Sequence, residues 1–510
     1  MGFFKAYDMR GTFGVDFDLD TVYKVGRALP DVVERANGSP GRRWLVGRDC
    51  RTTGEAMRAA LVRGLVDAGA EVTDLGLCTT PMVYFFTAAD GYDGSVMITA
   101  SHNPPGDNGL KVSKRGALPV GYADGLDEVE RIVGSGEDAR RETKDAKGRT
   151  KDAGRETDAL KRYVAWQVGQ SGNPSISQLN YAVDCSNGMA SLLVKDLFPG
   201  AVVINDTLDG SFPNHSPNPL KAEAREQLAA LVRERGLDCG VIFDGDADRC
   251  MFVDERGEFV QPDYLIPIVA RATLADPDCD RQLSTALDSS RSTAVDGDRQ
   301  QSTDSSRQPS TALDGNRTIE QSNNRTIPKI IHDVRTSRGA IEAIRRLGCE
   351  PVMVPVGHAF AKPILRESGA VCGGELAGHY YFREFFCCDS GVLAARRILG
   401  EVARAKAEGK TFSEMMKPIS GAYANSGELN FKVEDKDAAI RRVLACAAAN
   451  LPREISRSEM DGIRIEYETG WINVRKSNTE PYLRLLAEAT TADELEEWVS
   501  LLKGAIEHDA

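Results

Sequence analysis

Three times along the chain an apolar stretch is followed by a helical pattern, a glycine and a second apolar stretch. The first copy reads Trp44-Leu45-Val46-Gly47, then Met57, Leu61 and Leu65 on one helical face, Gly69 as a stop, and Ala70-Glu71-Val72-Thr73-Asp74. The second runs from Tyr181-Ala182-Val183-Asp184 through Val202-Val203-Ile204-Asn205 to a helix carrying Leu228, Leu231 and Val232, then Gly236 and Gly240-Val241-Ile242-Phe243. The third opens with Ile330-Ile331-His332-Asp333, continues with Ile341, Ile344 and Leu347, stops at Gly348 and passes to Pro351-Val352-Met353-Val354. Strands alternating with helices of about 10–15 residues predict parallel α/β units, here three in succession. In such sheets the loops that carry chemistry lie at the carboxyl ends of the strands.

From about Thr411 the pattern changes. Strand-like Glu428-Leu429-Asn430-Phe431 and Trp471-Ile472-Asn473-Val474 surround helical segments, which predicts a smaller α+β domain. The fold class is thus α/β, with three consecutive mixed α/β domains over residues 1–155, 156–258 and 259–405, and an α+β domain over 411–510. A degenerate octad repeat interrupts the third unit: Ser284–Arg291, Ser292–Arg299, Ser302–Arg307 and Ser310–Arg317 are rich in Ser, Thr, Asp and Arg. One small apolar residue per octad cannot bury enough surface to offset chain entropy, so 278–327 is expected to be a disordered insert. The alternative, a short β-solenoid, would lack a core in each turn.

Composition narrows the function. Lys and Arg number 63 against 76 Asp and Glu, a net charge of −13 that argues against nucleic-acid or basic membrane-surface binding. No run of about 18 apolar residues exists to span a bilayer, and Met1 to Asp8 shows no signal-peptide pattern. Eleven cysteines without C-x-x-C spacing, Cys387 and Cys388 among them, are expected to be reduced thiols of a cytoplasmic protein.

Four polar loops carry the functional signal. Thr99-Ala100-Ser101-His102-Asn103-Pro104-Pro105 follows apolar Val96-Met97-Ile98, and the double proline stiffens a turn that displays Ser101. Such a hydroxyl is placed as a nucleophile or a phosphorylated group; alternatively the loop is a plain turn. Phe243-Asp244-Gly245-Asp246-Ala247-Asp248-Arg249 offers three carboxylates at alternate positions, able to converge on one hard cation. A solvated acidic turn is the alternative, and an EF-hand is disfavoured because Arg249 stands where its sixth position needs glycine. In Gly373-Gly374-Glu375-Leu376-Ala377-Gly378-His379 the glycines admit close approach of a ligand, and Glu375 suits vicinal sugar hydroxyls, unless the loop is an ordinary turn. Arg475-Lys476-Ser477-Asn478-Thr479-Glu480-Pro481, with Arg484, collects the donors of a phosphate cradle or forms a solvated charged turn.

These four loops in this order, preceded by Lys5-Ala6-Tyr7-Asp8-Met9-Arg10-Gly11, resemble the α-D-phosphohexomutase family, phosphomannomutase/phosphoglucomutase branch. The resemblance covers the chain except the octad insert. It implies four domains around a central cleft, each contributing one loop, and an isomerase of hexose 6-phosphate and hexose 1-phosphate. It implies Ser101 as the phosphoryl carrier and Asp244, Asp246 and Asp248, with the serine phosphate, as ligands of Mg²⁺. Arg10, Lys111 and His379 match further catalytic positions, Lys111 or His379 being the general acid/base. Arg249, His358, Glu375, Arg475, Ser477, Asn478, Thr479 and Arg484 match substrate-binding positions, and His102 lies in the serine loop. The implied cofactors are Mg²⁺ and hexose 1,6-bisphosphate, the partner a phosphosugar, mannose preferred over glucose. Ala377 departs from the family's usual Glu-x-Ser, removing one hydrogen bond to the sugar. An aspartyl-phosphate phosphatase using Asp244 and Asp246, or a non-catalytic sugar-phosphate sensor, are the rival readings.

Overall fold

The computed structural model describes residues 2–135, 150–152, 156–170, 176–275, 327–477 and 481–507. The octad segment lies outside the described residues, apart from exposed Ile327 at its end. Four sheets follow one another along the chain. In the first, Asp107–Lys114, Gly94–Ile98, Arg43–Arg48 and Glu71–Leu77 are neighbours, and Met9–Thr12 closes one edge antiparallel to Asp107–Lys114. The second places Tyr181–Asp184 between Val202–Ile204 and Cys239–Phe243 in parallel, then adds Cys250–Asp254 antiparallel. The third pairs Lys329–Asp333 in parallel with Glu350–Val354 and Cys372–Gly374, then adds Tyr380–Phe382 antiparallel. The fourth is antiparallel throughout and is built around Gly470–Lys476 and Leu483–Ala489.

The expected elements form where the apolar pattern put them, because the pattern matches burial. Met57, Leu61 and Leu65 are fully buried on the helix Gly54–Asp67, and Gly236 ends the helix Ala222–Arg235 in the left-handed conformation at φ 58°. Mixed sheets replace purely parallel ones: each α/β unit turns back with a hairpin, and the metal-type loop 244–249 connects two antiparallel strands. That context excludes an EF-hand, which needs flanking helices.

The three α/β units share one apolar core. A continuous cluster joins Leu45 and Phe85 of the first, Tyr181 and Phe243 of the second, and Phe382 and Leu399 of the third. The helix Phe412–Ser420, capped by Thr411, adds Phe412, Met416 and Ile419 to that same core. The pattern change read at Thr411 therefore begins one helix before the fourth sheet. The fourth unit has its own core around Ile472, Trp498 and Leu502. It meets the third through arginines: Arg338 donates to the Tyr467 and Gly470 carbonyls at 2.8 Å, and Arg464 to the Val334 carbonyl at 2.6 Å. No described helix is long and apolar enough to cross a membrane.

One helix crossing in the first unit depends on two glycines. A Cβ on Gly64 would lie 2.2 Å from the Tyr23 carbonyl oxygen, and one on Gly26 2.5 Å from that of Leu61. Alanine gains about 1 kcal/mol of helix propensity over glycine. Separating two packed backbones costs about 1–3 kcal/mol, and contacts this short belong at the upper end. The clash wins. Gly64→Ala is expected to lower the thermal midpoint by an amount equivalent to about 1–2 kcal/mol; a midpoint equal to or above that of the unsubstituted chain would show that the helices do not cross this closely.

Candidate active site

The buried strand Gly94–Ile98 delivers Ser101 to the middle of the molecule. Ser101 is itself buried and holds φ at 51°, left-handed for a residue with a side chain. Its hydroxyl donates to Asp244 Oδ2 at 2.7 Å, joining a loop of the first sheet to a loop of the second. Arg249 also reaches this point, its guanidinium 3.3 Å from Ser101 Oγ and in contact with His102 Nδ1. Burial first, and the Arg249 charge second, push His102 well below the usual imidazole range.

Asp244, Asp246 and Asp248 are all buried, and one oxygen of each lies within 4.8 Å of the others. Lys111, from the strand Asp107–Lys114, sets its ammonium between two of them, 2.7 Å from Asp246 Oδ2 and 2.6 Å from Asp248 Oδ2. Thr80 adds a hydroxyl to Asp246 Oδ2 at 2.6 Å. Burial and the neighbouring carboxylates hold Asp244 well above the usual carboxylate range. At Asp246 and Asp248 burial acts the same way, but the Lys111 ammonium helps to outweigh it and both are held low. Asp246 Oδ1 and Asp248 Oδ1 remain buried without a hydrogen-bond partner. Three converging carboxylates with orphaned oxygens, next to a serine hydroxyl, are an all-oxygen donor set that fits a hard divalent cation.

The loop after Cys372–Gly374 supplies Glu375, whose carboxyl is buried and accepts the Tyr381 hydroxyl. Burial raises it above the ordinary glutamate range. Ala377 is half-buried beside it. His379 sits 3.9 Å from Asp248 Oδ1 through Nδ1, and the same nitrogen lies 2.7 Å from Asp389 Oδ2. Asp389 is paired in turn with Lys362 Nζ at 2.8 Å. His358 opens the helix His358–Ser368 and places its ring 5.9 Å from that of His379; burial, then Lys362, pushes it well down. Arg10 donates to Asp8 at 2.5 Å and to Asn103 of the serine loop at 3.1 Å.

The fourth sheet brings Arg475 and Arg484 face to face as cross-strand partners. Like charges directly opposite destabilise a sheet unless an anion lies between them. Glu428 is that anion, accepting from Arg475 at 3.2 Å, from Arg484 at 3.0 Å and from Arg335 of the third unit at 3.3 Å. Burial raises the Glu428 carboxyl, yet these three guanidinium groups hold it down at about 2. Arg335 pairs with Asp333 at 2.6 Å, and Asp333 accepts the Leu376 amide at 3.0 Å, so this arginine cluster is wired to the loop of Glu375. The Ser477 amide donates to the Tyr482 carbonyl at 2.9 Å. Asn478 and Thr479 lie outside the described residues.

The structure thus joins Ser101, Asp244, Asp246, Asp248, Arg249, Lys111 and His379 in one polar network. It connects Arg475 and Arg484 to the loop of Glu375 through Glu428, Arg335 and Asp333, and it backs His379 with Asp389 and Lys362; sequence reasoning placed none of these five in the site. One signal was present. Asp333 and Asp184 end strands and accept the Arg335 amide at 2.7 Å and the Ser186 amide at 2.8 Å; Asp49, one residue past a strand, accepts the Arg51 amide at 2.9 Å. Each α/β unit therefore carries an Asp-x-donor turn at a carboxyl end, where ligands bind in such sheets.

Comparison with known proteins agrees with this architecture. The family models described as phosphoglucomutase/phosphomannomutase, alpha/beta/alpha domains I, II and III, match residues 1–140, 161–257 and 312–423, and the C-terminal domain model matches 428–503. A phosphomannomutase of Vibrio cholerae is 32% identical over 515 residues, covering 98% of each chain. The phosphohexose mutases of Xanthomonas campestris are 32% identical, covering 95% of this chain and 94% of theirs. The crystal structure of a phosphoglucomutase/phosphomannomutase family protein from Burkholderia thailandensis superposes with a TM-score of 0.76 at 28% identity, covering 99% and 97% of the two chains. With four modules matched in chain order and such identity sustained almost end to end, the chain belongs to the phosphoglucomutase/phosphomannomutase family.

Proposed function

We propose that this isomerase interconverts hexose 6-phosphate and hexose 1-phosphate, with mannose phosphates preferred, through a phosphoserine at Ser101 and a hexose 1,6-bisphosphate. The observation that carries the reading is Ser101 Oγ at 2.7 Å from Asp244, where loops of two sheets converge on buried carboxylates. The mannose preference rests on relatives named phosphomannomutase that share about a third of their residues with this chain. For the first three units this reading takes the limits 1–155, 156–258 and 259–405, and for the fourth it starts the sheet at the strand Ala424–Asn425.

In this reading the phosphoryl group leaves Ser101 Oγ as a sugar hydroxyl attacks phosphorus, and the hydroxyl proton passes to a side chain. The bound bisphosphate then turns over in the cleft and returns its other phosphoryl group to Ser101. Asp244, Asp246 and Asp248 would hold Mg²⁺, which supplies charge neutralisation for the transferring group when bound. Arg249, beside Ser101 Oγ, binds the phosphoryl oxygens. Lys111 is committed to two carboxylates, whereas His379 gives Nδ1 to Asp389 and keeps Nε2 for the sugar. His379 is therefore placed as the proton acceptor and Lys111 as an electrostatic support. Arg335, Arg475 and Arg484, with Ser477, Asn478 and Thr479, anchor the phosphate that is not reacting. Glu375 receives the sugar hydroxyls, and His358 lines the same site.

Two measurements test this. Peptide mapping of protein incubated with hexose 1,6-bisphosphate is expected to find phosphate on Ser101, and Ser101→Ala to lower turnover by more than about 1,000-fold without unfolding the chain. Phosphate on Asp244 instead would replace the mutase by an aspartyl-phosphate phosphatase. The clamp gives the second. Charge-assisted hydrogen bonds contribute about 1.5–3 kcal/mol, so Arg475→Ala is expected to lower kcat/KM roughly 10- to 150-fold. Arg475→Lys should recover only part, because a point charge cannot span two phosphate oxygens. Unchanged kcat/KM in both variants would remove Arg475 from the substrate site.

A further inference from the structure

Ser101 adopts a left-handed backbone conformation of a kind that persists only where the surrounding structure over-determines it. A buried guanidinium from another loop holds the carbonyl side of this turn. Arg51 follows the strand Arg43–Arg48 and is 2% exposed. One terminal nitrogen donates to the Pro104 carbonyl at 2.7 Å and the Asp107 carbonyl at 2.8 Å. The other donates to the Ser101 carbonyl at 2.8 Å and the Asn103 carbonyl at 2.7 Å. Four carbonyls spaced over seven positions of one loop are thereby fixed to a single planar group.

The acceptors are all main-chain, so the guanidinium reads the shape of the loop and not its side chains. A second line of bonds fixes the amide side of the same residue. Ser101 N donates to Thr99 Oγ1 at 2.7 Å, and Thr99 donates to Asp49 Oδ2 at 2.6 Å. Asp49 orients Arg51 in turn, accepting its amide and lying 3.3 Å from its Nε. The second unit closes over this frame: the Phe212 ring lies 5.1 Å from Arg51 Cζ, and a Cβ on Gly210 would come 2.3 Å from the Cys50 carbonyl oxygen.

We propose that Arg51 is the positioning residue of the phosphoryl-carrying loop, holding Ser101 in the conformation from which its hydroxyl meets Asp244 and exchanges a phosphoryl group. The proposal rests on the mutase reading above. Arg51 makes its bonds to the loop and not to the sugar, so its loss falls on the transfer step and leaves binding at the arginine clamp. Lysine keeps the charge but gathers its donors at one point and cannot span four carbonyls.

The test uses the full chain as Arg51→Lys and Thr99→Val, with kcat and KM for mannose 1-phosphate at saturating hexose 1,6-bisphosphate, phosphate occupancy of Ser101 by mass spectrometry, and thermal unfolding. A misplacement of about 1 Å costs on the order of 100-fold in rate. Arg51→Lys is expected to lose roughly that in kcat, with KM within about threefold and slowed phosphorylation of Ser101. Thr99→Val removes the two bonds its hydroxyl makes in the same frame, from Ser101 N and to Asp49 Oδ2, and should show the same signature at about a tenth of the size. In Arg51→Ala, added guanidinium ion should restore part of kcat, which a general loss of packing would not allow. A folded Arg51→Lys with wild-type kcat, or with its loss confined to KM, overturns the proposal. Should Arg51→Lys fail to fold, wild-type kcat in Thr99→Val overturns it equally. If the unsubstituted chain neither turns over hexose phosphates nor carries phosphate on Ser101, the mutase reading itself fails, and that result precedes any variant.

Discussion

Three carboxylates buried within a few ångströms of one another repel, and much of this molecule is arranged around that repulsion. An isolated buried charge costs several kcal/mol, so the loop Asp244–Asp248 could not stand on its own unit. Arg249 at the end of the loop answers part of this charge, and the rest is answered from another unit, by Lys111 of the first sheet. The same contacts bring Ser101 to Asp244. Docking of the first two units and assembly of the reactive centre are therefore one event, driven by apolar burial across the shared core and aimed by charge.

The third and fourth units meet under a different rule. Their cores are separate, and the joint between them is a set of arginines donating to carbonyls and carboxylates. Such a joint is held by buried, charge-assisted hydrogen bonds, in contrast to the continuous apolar core that binds the other three units. The arginine cluster proposed to hold the substrate phosphate lies on this polar joint, because Glu428 gathers arginines from both sides of it.

The fold was largely legible in the sequence because burial follows period. Met57, Leu61 and Leu65 read as one helical face and are one buried face; Gly240 to Phe243 reads as a buried strand and is one. The hairpin that turns each parallel sheet back was not legible, since Cys250–Asp254 and Tyr380–Phe382 carry no signal of direction. The centre was legible where several functional residues cluster in one loop, as around Ser101 and Asp244. Arg335, Glu428 and Arg51 escaped notice as site residues because each stands alone in the sequence and gains meaning from a partner far away: Glu428 accepts from residues 47, 56 and 93 positions distant.

The Asp-x-donor turns at the ends of the first, second and third sheets have a consequence for how the enzyme comes into being. Each turn is closed between residues two apart, Asp49 to Arg51, Asp184 to Ser186 and Asp333 to Arg335. Contacts this local form early and need no distant partner. The nascent chain can therefore carry its loops already shaped before the units that bear them have met. What remains for late assembly is the bringing together of rigid pieces, a loss of translational freedom and not of loop conformations.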